Sequence, residues 1–396
     1  MEILYLSSMC SLNEYERMFK LYGSTSSHAS QKFNRLFVKG LIDNGYSVEA
    51  LSQRIILEGG ENDLTRPREC ENGITYTYLK RYKNKYINRL MNILNTIIFL
   101  WKWSKKHPDG NIVCDTILGE MSIAVWVTSR LKKINTTALV TDVPSIRGIN
   151  DLKGLKSLPS KIKNDCILSY KSYVFLTQQM NDILNKKDKP YVVIEGLVDP
   201  NIANTHTIDK SNNEEKVVLM AGMMEAYCGV DKLVEAFKRV DIKDASLKLY
   251  GKGSYVQEII KASKDDPRIK YCGELTNEKM IEEEKKASLL INPRSPKGEW
   301  TAYCFPSKNI EYMSSGTPLV AFNLPSIPES YLPYFYQIEE DSVDCICSTI
   351  ETLLSMDSKE LDEFGMKAQS WIVENKKPKT QLFCYKTITN SFKKGE

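Results

Sequence analysis

Phe305-Pro306-Ser307-Lys308-Asn309-Ile310-Glu311-Tyr312-Met313-Ser314-Ser315-Gly316-Thr317-Pro318-Leu319-Val320 is the most telling run of the 396-residue chain. Two short apolar segments bracket it, Leu289-Leu290-Ile291 upstream and Leu319-Val320-Ala321 at its end. Runs this short and apolar throughout read as strands buried on both faces of a parallel sheet. Between them lie a polar loop and one short helix, stopped by Gly316 with Pro318 just beyond. Strand, helix and strand make a βαβ unit, and ligands of such sheets sit outside the carboxyl ends of the strands. Arg294 follows the first strand, Ser307 and Lys308 open the helix, and Glu311 lies one turn in. A helix N-terminus with an arginine and a lysine suits an anion. The Glu311 carboxylate suits a vicinal diol such as a ribose. The loop reads as a site for a nucleoside diphosphate.

Strand and helix alternate twice over, with no repeat at solenoid periods. The first half is expected to hold strands near residues 3–6, 46–51, 111–114, 138–144, 174–177 and 192–195. Helices are expected near 30–44, closed by Gly45, and 86–105. The segment 9–26 is long for a βα connection and reads as a mobile acceptor-side loop. The polar run 205–215 reads as a linker. The second half restarts at 217–222, with a helix near 230–240 and strands near 247–250 and 269–272. The expected domains are 1–205 and 206–378, with a C-terminal helix, 379–396, striped by Leu382, Tyr385, Ile388 and Phe392.

The segment Glu311-Tyr312-Met313-Ser314-Ser315-Gly316-Thr317-Pro318-Leu319 resembles the nucleotide-sugar site of family 4 glycosyltransferases, as does the Phe-Pro-Ser-Lys start of the loop, a version met in bacterial surface-polysaccharide pathways. The resemblance implies an α/β protein of the GT-B fold, two Rossmann-like doubly wound domains facing across a cleft, with the tail packed back on the first. It also implies transfer of a sugar from a UDP- or GDP-linked donor to a glycan or lipid-linked acceptor, with retention of configuration. Glu311 would hold the ribose. The pattern's first glutamate falls at Tyr303, leaving Glu299, Thr301 or Tyr303 to meet the sugar. The family's arginine and lysine after the first strand of this domain fall at Met223 and Cys228, so Arg294 and Lys308 are expected to supply the charge. Gly222, Gly251 and Gly273 would shape the pocket, and Glu274 and Leu275 would lie near the base.

Hydrophobic content of 42%, charge of 26% and a net charge of +4 describe a globular protein with no signature of nucleic-acid binding. Ten scattered cysteines read as reduced thiols, and three distant histidines as no metal centre. The opening residues lack a secretory pattern and no run is long enough to span a bilayer, so a cytoplasmic protein is expected. No Asp-x-Asp pair occurs, so metal-independent chemistry without a further cofactor is expected. Asp142, ending a Thr-Asp-Val-Pro strand, reads as a sugar or acceptor contact or as a cap, and His28 as a surface residue or a base. Ile87, Leu90, Met91, Leu94, Ile97, Ile98 and Trp101 fall at helical spacing among lysines. That helix reads as core, as a face resting on the inner surface of an anionic membrane, or as both. An epimerase and a catalytically inactive glycosyltransferase partner are the rival functions.

Overall fold

The computed structural model describes residues 1–22, 28–54, 59–143, 160–203 and 215–393. It divides into two compact units, Met1–Leu197 with Pro378–Glu396, and Val198–Lys377.

The first unit is built on an eight-stranded sheet. Its strands lie in the order Glu69–Glu71, Ile74–Tyr78, Ser47–Ser52, Glu2–Ser7, Asn111–Asp115, Asn135–Val140, Ser172–Phe175 and Tyr191–Val193. Every pairing is parallel except that of Glu69–Glu71 with Ile74–Tyr78. That hairpin turns on Asn72 and Gly73, with φ of 52° and 77°, the paired left-handed residues of a tight hairpin. Asn-Gly is a strong hairpin signal, and the sequence reading passed over it. The central strands are sealed on both faces, as their apolar runs require.

The expected loop at 9–26 is largely a helix, Leu12–Tyr22. Tyr15, Met18 and Tyr22 pack on the core at helical spacing, and Glu14 holds Arg17 at 2.7 Å one turn on. The tail forms short helical turns, Pro378–Gln381, Leu382–Tyr385 and Lys386–Lys393, rather than one helix. Leu382, Tyr385 and Ile388 are buried in the first unit's core. The Tyr385 hydroxyl accepts from Asn111 Nδ2 at 2.6 Å, tying the tail to a central strand.

The helix Lys85–Lys106 is capped by Asn84, whose side chain accepts from Tyr86 and Ile87 N–H. Asn92, Thr96, Leu100, Trp103 and Ser104 face inward. Ile87, Leu90, Leu94 and Ile98 do not: they are 43 to 56% exposed. The stripe that set this helix's period is therefore its outer face.

In the second unit six parallel strands lie in the order Ile269–Tyr271, Ala245–Lys252, Lys216–Met223, Leu289–Asn292, Leu319–Ala321 and Tyr336–Gln337. By rank along the chain this is 3-2-1-4-5-6, the doubly wound order, with its switch point between Lys216–Met223 and Leu289–Asn292. The division from the first unit falls before Val198, not at residue 205. Val198 N–H donates to Lys376 O at 3.0 Å, and Lys285 Nζ donates to Ile202 O at 3.2 Å, so this stretch is held by the second unit. Most of the expected linker lies outside the described residues, as does the His28 side chain.

Candidate functional site

At the switch point the two central strands pair only through Leu289 with Val218 and Leu290 with Leu219. Beyond that register they part, and the resulting crevice is where a doubly wound sheet receives a ligand. Glycines line the carboxyl end. Gly251 has φ of 136°, and a Cβ there would stand 1.8 Å from Gly222 O, so the paired ends of these two strands meet backbone to backbone. Gly222, with φ of 144°, has open space where its own Cβ would be. Gly251 N–H donates to Gly273 O at 2.8 Å, bringing the third expected glycine to the same end. A Cβ on Gly229 would stand 2.0 Å from Pro293 O, so the loop carrying Cys228 presses against the residue before Arg294.

That approach places Arg294. Its guanidinium lies over the Trp300 ring at 4.9 Å and 3.7 Å from Cys304 Sγ. It also touches Cys228: burial raises that thiol's pKa, while the charge and hydrogen bond of Arg294 pull it down. No carboxylate among the described residues forms an ion pair with Arg294. A half-buried guanidinium thus stands at Cys228, one of the two positions without a cation in this chain.

Lys308 has a different setting. It opens the helix Ser307–Ser315, whose first turn has no side-chain cap. Its ammonium lies 3.0 Å from Glu311 Oε1 and 3.7 Å from Glu284 Oε1. Burial alone would lower its pKa, but the carboxylates of Glu311 and Glu284 outweigh that and hold it above the ordinary lysine value. Lys308 and Arg294 therefore turn to different partners, and most of the lysine's charge is already answered. Glu284 escaped the sequence reading because it sits in the run Glu282-Glu283-Glu284, which looks like a solvated face. The signal was its spacing, four residues after the buried Met280 and three before the buried Ala287.

The remaining expected residues are distributed as follows. Glu274 pairs with the exposed Lys252 at 3.1 Å, and Leu275 beside it is exposed, both in the turn after Ile269–Tyr271. Thr301 is buried, and its hydroxyl donates to Gly298 O at 2.7 Å, so it shapes its own loop rather than facing a sugar. Glu299 is exposed and Tyr303 half-buried. Asp142 lies in the first unit, where its Oδ1 accepts from Val143 N–H at 2.9 Å. Among the described residues no three histidine, cysteine or acidic side chains gather as metal ligands.

Comparison with known proteins bears on the second unit and on the fold. Residues 215–355 match the family model described as glycosyl transferases group 1. No curated protein sequence matches the chain. Among solved structures, sucrose-phosphate synthase from Thermosynechococcus elongatus superposes with a TM-score of 0.68 at 11% identity, over 100% of this chain and 98% of that one. HepE of Anabaena in complex with UDP gives 0.62 at 12%, covering 100% of both chains. A mutant of S. aureus TarM, in complex with fondaparinux, α-GlcNAc-glycerol and UDP, gives 0.64 at 14%, over 98% of this chain and 100% of that one. At such identities the likeness is one of fold, and the fold is GT-B: two Rossmann-like domains. The matched domain on that fold defines an enzyme class, the glycosyltransferases.

Proposed function

We propose that this chain transfers a hexose from a nucleoside-diphosphate donor, UDP- or GDP-linked, to a glycan or lipid-linked acceptor in the assembly of a bacterial surface polysaccharide or glycoconjugate. The donor lies in the second unit, as in family 4 enzymes that carry a Phe-Pro-Ser-Lys loop. The observation that carries this is Arg294, a guanidinium without a carboxylate partner, set against Cys228 at the carboxyl end of the switch-point strands. A leaving diphosphate develops negative charge, and a preorganised cation there is what transfer requires. The uncapped start of the helix Ser307–Ser315 adds its dipole. Glu311, oriented by Lys308, takes the ribose, and Gly222 and Gly251 let the backbone approach the nucleotide. Glu274 and Leu275 border the base, and Asp142 meets the acceptor or sugar. Transfer proceeds with retention and without a metal ion: the acceptor hydroxyl attacks from the face the diphosphate leaves, and a phosphate oxygen takes its proton. UDP in the HepE and TarM structures makes UDP the first donor base to try.

The helix Lys85–Lys106 places the enzyme on an anionic inner membrane face. It has no acidic residue, five basic ones (Lys85, Arg89, Lys102, Lys105 and Lys106), and an exposed apolar stripe. A second copy of the same helix would bring the same positive charge, which disfavours self-association. No helix among the described residues is long and apolar enough to cross a membrane.

The test is titration with UDP and GDP, followed by a panel of nucleotide sugars offered with membrane extracts. Binding with transfer supports the proposal. Binding with isomerised donor alone points to the epimerase, and absence of binding to the inactive partner.

A further inference from the structure

Three neighbouring strands of the first unit, Glu2–Ser7, Ser47–Ser52 and Ile74–Tyr78, deliver a cluster of arginines at their carboxyl ends. Glu14 Oε2 lies 2.7 Å from Arg17 and 2.8 Å from Arg66, and Asp63 lies 2.7 Å from Arg54 and also binds Arg17. Arg81 stands beside them, its N–H donating to Leu64 O at 2.8 Å. It is 5% exposed, its Nε has no hydrogen-bond partner, and no described carboxylate lies within ion-pair distance of it. Arg54 Nε is likewise without a partner. Burial and the charge of Arg54 both push Arg81 below the usual guanidinium range. Asp63, already shared between Arg54 and Arg17, opposes this more weakly, and after it the exposed Glu61. A guanidinium does not shed its proton at working pH, so burying one without a counter-ion is costly. The ligand edge of a doubly wound sheet is where a counter-ion would be brought by a substrate. Four residues beyond Arg81 the helix Lys85–Lys106 begins, and Ile87, Leu90 and Leu94 are exposed along its first half.

We propose that the acceptor is a phosphate-bearing lipid, its phosphate held by Arg81 with Arg54 and Arg66 and its hydrocarbon chain lying along Ile87, Leu90 and Leu94. This rests on the glycosyltransferase reading for the word acceptor; the binding site itself does not.

Farnesyl pyrophosphate, inorganic pyrophosphate and farnesol serve as probes, titrated calorimetrically into the full chain with UDP held at saturation so that the donor pocket is filled. Farnesyl pyrophosphate is expected to bind about tenfold to hundredfold more tightly than either fragment, and Arg81→Gln to remove most of that advantage. Arg66→Gln, at a side chain a quarter exposed, reports the same loss should Arg81→Gln fail to fold. Equal binding of farnesol and farnesyl pyrophosphate overturns the phosphate site. Inorganic pyrophosphate matching farnesyl pyrophosphate overturns the lipid assignment, and unchanged affinity in both variants overturns the arginines. If UDP fails to bind the wild-type chain, the donor reading falls separately and the probes are titrated without it.

Discussion

The Tyr312 hydroxyl accepts from Ala221 N–H at 2.7 Å and donates to Ala221 O at 3.0 Å. Ala221 lies two residues past the last paired position of its strand toward Leu289–Asn292, so on that side its backbone groups have lost the ladder. One phenol closes both valences and pins the helix Ser307–Ser315 to the first strand of the sheet. Tyr312→Phe leaves a buried N–H and C=O unanswered and is expected to cost about 1–3 kcal/mol. Urea denaturation measures it, and nucleoside-diphosphate affinity is expected to fall with it. Unchanged stability would mean that water takes the phenol's place at no cost.

Arg294→Met is expected to weaken UDP binding about tenfold to hundredfold, the worth of a charge-assisted hydrogen bond, while leaving uridine binding unchanged. The fold is expected to tolerate it, since Arg294 balances no carboxylate and its ring contact with Trp300 survives in part. Calorimetric titration of both ligands checks this. Equal losses for UDP and uridine would move the diphosphate away from Arg294.

Lys308→Ala is expected to act on stability as well as on transfer. It leaves Glu284, 0% exposed, beside Glu311 without the cation between them. Because Lys308 itself is a third exposed, about 1–3 kcal/mol is the expected loss at pH 8. In the variant Glu284 holds its proton to higher pH, so the deficit shrinks as pH falls. In the wild type the raised lysine pKa keeps the stabilising contribution intact below the ordinary lysine value, and it is lost only as pH climbs through the folded one. Denaturation at pH 5 and pH 8 separates the two; a deficit independent of pH would remove Glu284 from the account.

The second unit was the more legible half of the chain because its parallel strands are short apolar runs punctuated by glycine, and glycine marks real constraints there. Gly251 and Gly316 sit at positive φ, one at the end of a strand and one as a helix stop. What the sequence hid was pairing. Nothing in the order of residues says that Lys308 is answered by Glu284, which precedes it by a strand and a loop, or that Arg294 stands at Cys228. The helix Lys85–Lys106 hid its orientation for another reason. Its inner face is built partly from Asn92, Thr96 and Ser104, and its outer face from isoleucine and leucine, so periodicity finds the stripe without saying whether it faces in or out.

That outer face makes a membrane prediction. Leu94→Glu with Ile98→Glu places acid on a stripe whose side chains are about half exposed. Flotation with vesicles containing phosphatidylglycerol is expected to drop at least about tenfold, with thermal stability retained. Neutral vesicles are expected to bind weakly at the start, since the basic flanks contribute about 1 kcal/mol per residue near an anionic surface. Undiminished flotation by the double variant, or dimers that it disperses, would reassign the stripe to another partner.

Asp115 ends the strand beside Glu2–Ser7, at the switch point of the first sheet, and is buried. Burial pushes its carboxyl from 3.8 to about 6, against the opposing hydrogen bonds from Ile117 N–H and the Asn34 side chain. With the folded value above the unfolded one, the native state binds more protons between these limits, so stability falls as pH rises through that window. Above pH 6 the full penalty applies, about 3 kcal/mol by linkage. Asp115→Asn keeps an oxygen for the Ile117 N–H and removes the charge. It is expected to be more stable than the wild type at pH 7 by up to about 3 kcal/mol, with the gain vanishing near pH 4. Urea denaturation of both proteins across that range decides it. A variant less stable at pH 7 would show the carboxylate to be compensated in the folded protein, and a gain independent of pH would assign the effect to packing rather than to titration.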